Sequence, residues 1–300
     1  MIQNVAVFTR TNPGFVSLGL KLGKETLFDY IKKFGFGSKT GVDLNGEGSG
    51  ILFNLEKVGL VELATTAFGQ GVSVTPIQQI TAVSAAINGG TLYKPYIVKS
   101  LNEPVTNSVI KQNDKQIVRK VISDETSEKV RYALESVVSN GTGRPAFIDK
   151  YRVGGKTGTA QKVKDGRYMV GNYIVSFIGF LPADDPKVIV YVAIDNAKGV
   201  TQYGGTIAAP IARNILLDSI NALGIEEREG WSEKEYNYFD RKYIEVPNVE
   251  GLTVKEAMKQ LKNFKVEFTG DGDIVSYQSP RAGTRIYEGE TVLLLREEAS

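Results

Sequence analysis

Between Gly171 and Ala197 the chain reads GNYIVSFIGFLPADDPKVIVYVAIDNA, two long apolar runs separated by a turn. The strand candidates within it, Tyr173–Phe180 and Lys187–Ile194, carry apolar residues at odd and even positions alike. A strand of that kind cannot leave either face in water, so its sheet must be covered on both sides. The link LPADDPK is too short for a crossover, which makes the two strands antiparallel neighbours. Its Asp184 and Asp185 read as turn formers, since adjacent carboxylates point apart and do not converge on a metal. Arg152–Thr159 is a third strand candidate.

Helices to cover such a sheet are marked by caps and spacing. Thr75, Pro76 and Gln78 form a capping box with proline at the first helical position, and Ile77, Ile80 and Ile87 follow at helical spacing until Gly89 and Gly90. A second helix starts near Ser123 and places Val130, Leu134, Val137 and Val138 on one face before Gly141. Pro210–Leu223 and Lys24–Phe34 supply two more. The fold class implied is α+β, an antiparallel sheet covered by helices.

With 300 residues and 42% apolar content, the chain can bury a large core plus a small one. Residues 1–225 alternate periodic segments with glycine-rich turns and form the large domain. Residues 226–242, EEREGWSEKEYNYFDRK, hold six acids and four bases among 17 positions and read as a linker, with Tyr236, Tyr238 and Phe239 as candidate anchors between the domains. Residues 243–300 follow as a small α+β unit whose helix carries Leu252, Ala257 and Leu261.

Composition excludes several chemistries. Thirty-six basic and 34 acidic residues nearly cancel, so charge argues for no nucleic acid as a partner. Cysteine is absent, which removes disulfides and thiol nucleophiles. Histidine is absent too, so a serine–histidine–aspartate relay cannot be assembled. Covalent chemistry on this chain would need a hydroxyl activated by lysine, and neither a metal nor a cofactor is implied. The longest apolar run, VIVYVAI at Val188–Ile194, has seven residues, far below the roughly 20 that span a bilayer.

Against that background the stretch RVGGKTGTAQ, Arg152–Gln161, carries the most chemistry. A phosphate-binding loop would need glycine where Lys150 stands and a helix opening after the lysine, and Thr157–Ala160 is β-like instead. Alternation on a strand puts Lys156 and Gly158 on one face and Thr157 and Thr159 on the other. Gly158 leaves room for a peptide backbone to pair with the strand edge, and a cation beside hydroxyls suits a carboxylate. Taken alone, the same letters also fit a solvated lysine on an edge strand.

The surrounding segments decide between these readings. GGKTGTAQ, preceded by SNGTGRPA at Ser139–Ala146 and ATTAFGQGVSVTPIQQ at Ala64–Gln79, resembles the transpeptidase domain of class B penicillin-binding proteins. The C-terminal unit, with VPNVEGLTVKEAMKQL, is similar to a PASTA module, and the pairing resembles the sporulation and cell-division transpeptidases. The resemblance implies the penicillin-binding, β-lactamase-like fold and serine acyl transfer on peptidoglycan, with stem peptides ending in D-Ala-D-Ala as substrates and β-lactams as ligands. It also implies division or sporulation proteins as partners, and a place on the extracytoplasmic face of the bacterial membrane. In that family a Ser-x-x-Lys motif supplies nucleophile and base and a Ser-x-Asn motif assists proton transfer, while a Lys-Thr-Gly strand binds the acyl donor. Carried over, Lys156 supplies positive charge and Thr157 helps hold the terminal carboxylate. Gly158 lets the donor approach, and the Thr159 amide forms half of an oxyanion hole.

The match to the other two motifs is incomplete. At the Ser-x-Asn position the chain reads Arg10, Thr11, Asn12, which keeps an asparagine to contact a substrate amide and lacks the serine. Two segments imitate Ser-x-x-Lys. SVIK at Ser108–Lys111 follows the asparagine instead of preceding it and lies in a polar, β-like stretch, and TSEK at Thr126–Lys129 reads as helix capping. The expectation is therefore an N-terminally truncated transpeptidase without its own nucleophile, poorly stable alone because apolar surface lacks partners. The competing reading is a noncatalytic peptidoglycan-binding or scaffolding protein. A β-lactamase-like hydrolase or sensor suits the lysine strand but not the C-terminal module.

Overall fold

The computed structural model of the chain describes residues 12–164, 167–228 and 243–298. Contacts divide the chain into two units, Met1–Lys234 and Glu235–Ser300. The linker aromatics, Arg10 and Thr11 lie outside the described residues.

The centre of the first unit is the sheet expected from the apolar runs. Strands β5 (Gly154–Lys164), β6 (Arg167–Leu181) and β7 (Val188–Asp195) lie antiparallel in the order β5-β6-β7. Thr157 faces Phe177 and Phe177 faces Val192 across the ladders, so these three share one side of the sheet. That side is covered by helix α6 (Gly204–Leu223), whose Ala208, Ala209, Ala212 and Leu216 are fully buried against Phe177 and Leu181. Alanines at the contact bring the helix axis close to the strands. On the opposite side Phe180 and Ile189 pack against Val83 and Ile87 of α4 (Pro76–Ile87) and Leu134 of α5 (Asp124–Ser139). That cover is incomplete, since Ile174 is 38% exposed.

Three element boundaries differ from the expectation. β5 continues to Lys164 and β6 begins at Arg167, because the ladder bonds Val163 to Tyr168 and Lys164 to Arg167 without burial. An extension without a buried face escapes a pattern based on burial. Helix α6 starts at Gly204, six residues before the proline taken as its start, and runs through Pro210. The reason is contact: a Cβ on Gly205 would stand 2.6 Å from the Thr142 carbonyl oxygen, and a Cβ on Gly204 the same distance from the Gly158 carbonyl oxygen. These two glycines are the condition for close packing of a helix N-terminus on a strand.

The remaining helices of this unit are α1 (Asn12–Leu22), α2 (Lys24–Lys33) and α3 (Leu60–Ala67). The capping box forms at α4 as expected: Gln78 N donates to Thr75 Oγ1 at 3.2 Å, and Thr75 N to Gln78 Oε1 at 2.9 Å. Gln78 is also 1% exposed, and its Nε2 donates to Ser38 O and Ser49 O, tying the glycine-rich loop at residues 46–50 to the helix. Short strands β1 (Thr91–Lys94) and β4 (Gln116–Lys120) pair, as do β2 (Ser100–Asn102) and β3 (Val109–Gln112).

The second unit has its own core of Val246, Val249, Ala257, Leu261, Val275, Val292 and Leu294. Strands β9 (Lys265–Thr269), β10 (Ile274–Ser279) and β12 (Thr291–Glu297) lie in the order β10-β12-β9, with β12 parallel to β9. Helix α7 (Val254–Gln260) is capped by Thr253, and β8 (Tyr243–Glu245) pairs with β11 (Arg285–Tyr287). Gln278, 1% exposed, accepts from Val249 N at 2.7 Å and donates to Pro247 O and Pro280 O, satisfying the turn above the sheet.

Candidate functional site

β5 is an edge strand: it pairs with β6, and no second strand lies against it among the described residues. Its unpaired edge presents backbone donors and acceptors that an extended peptide could meet. The strand enters the sheet through a buried ion pair. Glu135 on α5 is 3% exposed and accepts from Arg152 Nε at 3.0 Å and Nη2 at 2.8 Å. This two-pronged bond fixes the strand's first turn against α5. The hydrogen bonds that Arg152 donates to Glu135 outweigh partial burial and hold Arg152 above its ordinary range, with Asp184 at 3.7 Å adding attraction.

Lys156 is half-buried and its Nζ donates to the Thr157 carbonyl at 3.0 Å, among other interactions. Thr157 points to the other side of the sheet. It is 4% exposed, and its Oγ1 lies 3.0 Å from Thr142 Oγ1 in the loop after α5. That loop is pinned by Gly141 N and Gly143 N, both donating to Val137 O. Gly158 faces Ser176 across the ladder, and a Cβ there would fall on the Ser176 hydroxyl, so the glycine is required by packing. Thr159 is half-buried, follows on the Thr157 side and has partners of its own.

The structure thus brings Lys156, Thr157, Gly158 and Thr159 onto one edge strand. It does not join Asn12 to them: Asn12 is exposed at the start of α1, and among the described residues no hydrogen bond links it to β5. Ser108 sits just before β3, a strand exposed along its whole length, and is bonded to Thr106. At the other imitation, Ser123 caps α5 by accepting from Thr126 N at 3.1 Å, and Ser127 is buried with its Oγ donating to Ala86 O at 2.8 Å. Those hydroxyls are occupied by helix capping and by tying α5 to α4. Thr142, Glu135 and Ser176 were not singled out from the sequence. Thr142 gave no signal beyond its place in SNGTG, whereas Ser176 is a lone hydroxyl in an apolar run. Among the described residues no group of carboxylates could hold a metal, and no helix is long and apolar enough to cross a membrane.

Comparison with known proteins bears on the family and the fold. Residues 6–217 match the penicillin binding protein transpeptidase domain, and residues 244–296 match the PASTA domain. The chain is 61% identical over 288 residues to stage V sporulation protein D of Bacillus subtilis, covering 96% of this chain and 45% of that protein. It is 33% identical over 216 residues to a probable peptidoglycan D,D-transpeptidase, PenA, of Neisseria meningitidis, covering 72% of this chain and 35% of that one. Thus the chain spans less than half the length of either relative. Among solved structures, penicillin binding protein 3 of Mycobacterium tuberculosis complexed with ampicillin superposes with a TM-score of 0.69 at 28% identity, over 78% of this chain and 54% of that one. Penicillin binding protein 2X of Streptococcus thermophilus shares the fold over 99% of this chain and 44% of its own, at TM-score 0.64 and 22% identity. With the lysine strand at the edge of a helix-covered sheet and 212 consecutive positions (6–217) matching one family, the chain belongs to the penicillin-binding protein transpeptidases.

Proposed function

We propose that this chain carries the acyl-donor strand of a peptidoglycan D,D-transpeptidase. The observation that carries this reading is β5: an edge strand with a lysine and two threonines around a glycine, held at its start by a buried ion pair. A stem peptide ending in D-Ala-D-Ala would lie along the free edge, with its terminal carboxylate drawn to the Lys156 charge and the hydroxyls of the strand. In the acyl transfer, a serine oxygen bonds to the penultimate D-Ala carbonyl, and the bond to the last residue breaks. D-Ala leaves with the serine's proton, and an amine from a second stem then bonds to the acyl carbon, breaks the ester bond and gives a proton back to the serine oxygen. The Thr159 amide is the oxyanion donor on this side of the site. Asn12 would contact a substrate amide, and β-lactams would occupy the same edge.

No serine followed by the lysine of a Ser-x-x-Lys motif lies beside β5 among the described residues: Ser176, which faces Gly158 from β6, has Gly179 three positions on. On this reading the chain alone binds donor without turning it over. We place this activity on the extracytoplasmic face of the membrane, where peptidoglycan lies, with residues 1–225 as the transpeptidase part, 226–242 as the linker and 243–300 as the PASTA part. The same observation favours a second reading, a noncatalytic peptidoglycan-binding scaffold of division or sporulation.

Titration of the 15N-labelled chain with diacetyl-L-Lys-D-Ala-D-Ala tests donor binding. Amide shifts should concentrate on residues 156–161 and fade when the peptide's terminal carboxylate is replaced by an amide. Equal shifts from both peptides, or none on β5, would refute it. Turnover by the unmodified chain would refute the assignment of the nucleophile elsewhere.

A further inference from the structure

A recess of about 260 Å3 opens between the end of α2, the loop at residues 34–40 and strands β1 and β4. It shares no residue with β5. Phe34, Phe36, Leu52 and Leu92 give it apolar walls, and Gly37 shapes the rim, where φ of +79° and a Leu52 methyl 2.5 Å from any added Cβ leave no room for a side chain.

Charge at this recess has one sign. Lys32, Lys39 and Arg119 line it, and no carboxylate does. Arg119 Nη1 donates to Lys32 O at 3.4 Å, which holds the guanidinium at the end of α2. Glu47, an acid that interacts with Lys39, is turned to the Thr40 hydroxyl and to the Thr40 and Gly41 amides. Thr81, also in the lining, has a buried hydroxyl without a hydrogen-bond partner. Apolar walls with a few polar groups are the mark of a small-molecule site, and a lining whose charges are an arginine and two lysines favours an anion.

We propose that this recess binds a small amphipathic anion, a carboxylate on a compact apolar body, with the body between Phe34, Phe36, Leu52 and Leu92 and the carboxylate at Lys39 and Arg119. Size agrees, because a cavity of roughly 150 Å3 accepts benzene and this one leaves room for a substituent. The inference is independent of the peptide-binding role given to β5.

Phenylacetate and its neutral, nearly isosteric amide, phenylacetamide, are suitable probes for the 15N-labelled chain. Phenylacetate should shift amides at residues 34–40, 81 and 119, and should bind about tenfold more tightly than phenylacetamide, as a charge-assisted contact requires. The K39Q/R119Q double variant should reduce phenylacetate to the level of the amide without changing the thermal midpoint. Equal affinity of the unsubstituted chain for both probes overturns the proposal, and so do shifts confined to other residues or no shifts at saturating probe. The comparison of probes on the unsubstituted chain stands even if the variant fails to fold.

Discussion

Thr157 and Lys156 are neighbours in sequence and serve opposite sides of one strand. The lysine stays on the side away from α6, while the threonine hydroxyl is buried against Thr142. Removing the Thr142 hydroxyl would leave a buried polar oxygen without its partner. T142V should therefore lower unfolding free energy by about 1–3 kcal/mol, and T142S should restore most of it, as read by urea denaturation. No loss in T142V would show that the pair does not hold the strand. At this scale the sequence was informative where chemistry is carried by residue type. Lys156, Gly158 and the threonines could be placed on alternate faces from the strand period alone. Thr142 could not, because its importance comes from a loop that returns to the strand 15 residues later. Asn12 was legible as a letter in a motif, yet the helix start it occupies does not bond it to β5.

Elements were legible where capping and burial agree. The Thr75–Gln78 box, the Ser123 cap and the antiparallel pairing of β6 with β7 all formed as the local chemistry dictates. Illegible features were the early start of α6, set by packing against the distant Gly158, and the exposed extension of the β5–β6 hairpin, which has no buried face. The loop at residues 40–47 is a further element built on a side chain. Burial of Glu47 opposes its ionisation, but hydrogen bonds from Thr40 and Gly41 prevail and hold its carboxyl below the ordinary range. A lowered folded-state value means that the stabilisation is fully present above the unfolded glutamate value, about pH 4.3, and is lost as pH falls through the folded one. Hydrogen exchange at Thr40 and Gly41 should be slow at pH 6 and lose protection below about pH 4 relative to the rest of the unit. Unchanged protection across that range would contradict the role of Glu47.

The chain as a whole is two separately cored units, and apolar surface is unevenly managed between them. In the first, Leu60 and Val61 on α3 are 75% and 71% exposed, and Leu20 and Leu22 on α1 are each 46% exposed. Apolar surface of that extent is an association liability. The second unit buries seven apolar residues at 1% exposure or less, enough for a small domain to fold alone. Residues 243–300 expressed separately should unfold in one cooperative thermal transition, and a broad, non-cooperative melt would show that they depend on the rest of the chain.

On the proposed function β5 seats the acyl donor, and no Ser-x-x-Lys hydroxyl stands beside it among the described residues. A crystal structure of this chain soaked with benzylpenicillin tests both halves at once. The account predicts an intact ligand whose carboxylate lies at Lys156 and the strand's hydroxyls, with no bond to any side chain. A penicilloyl group covalently attached to Ser108, Thr126 or any other hydroxyl of these 300 residues would contradict it.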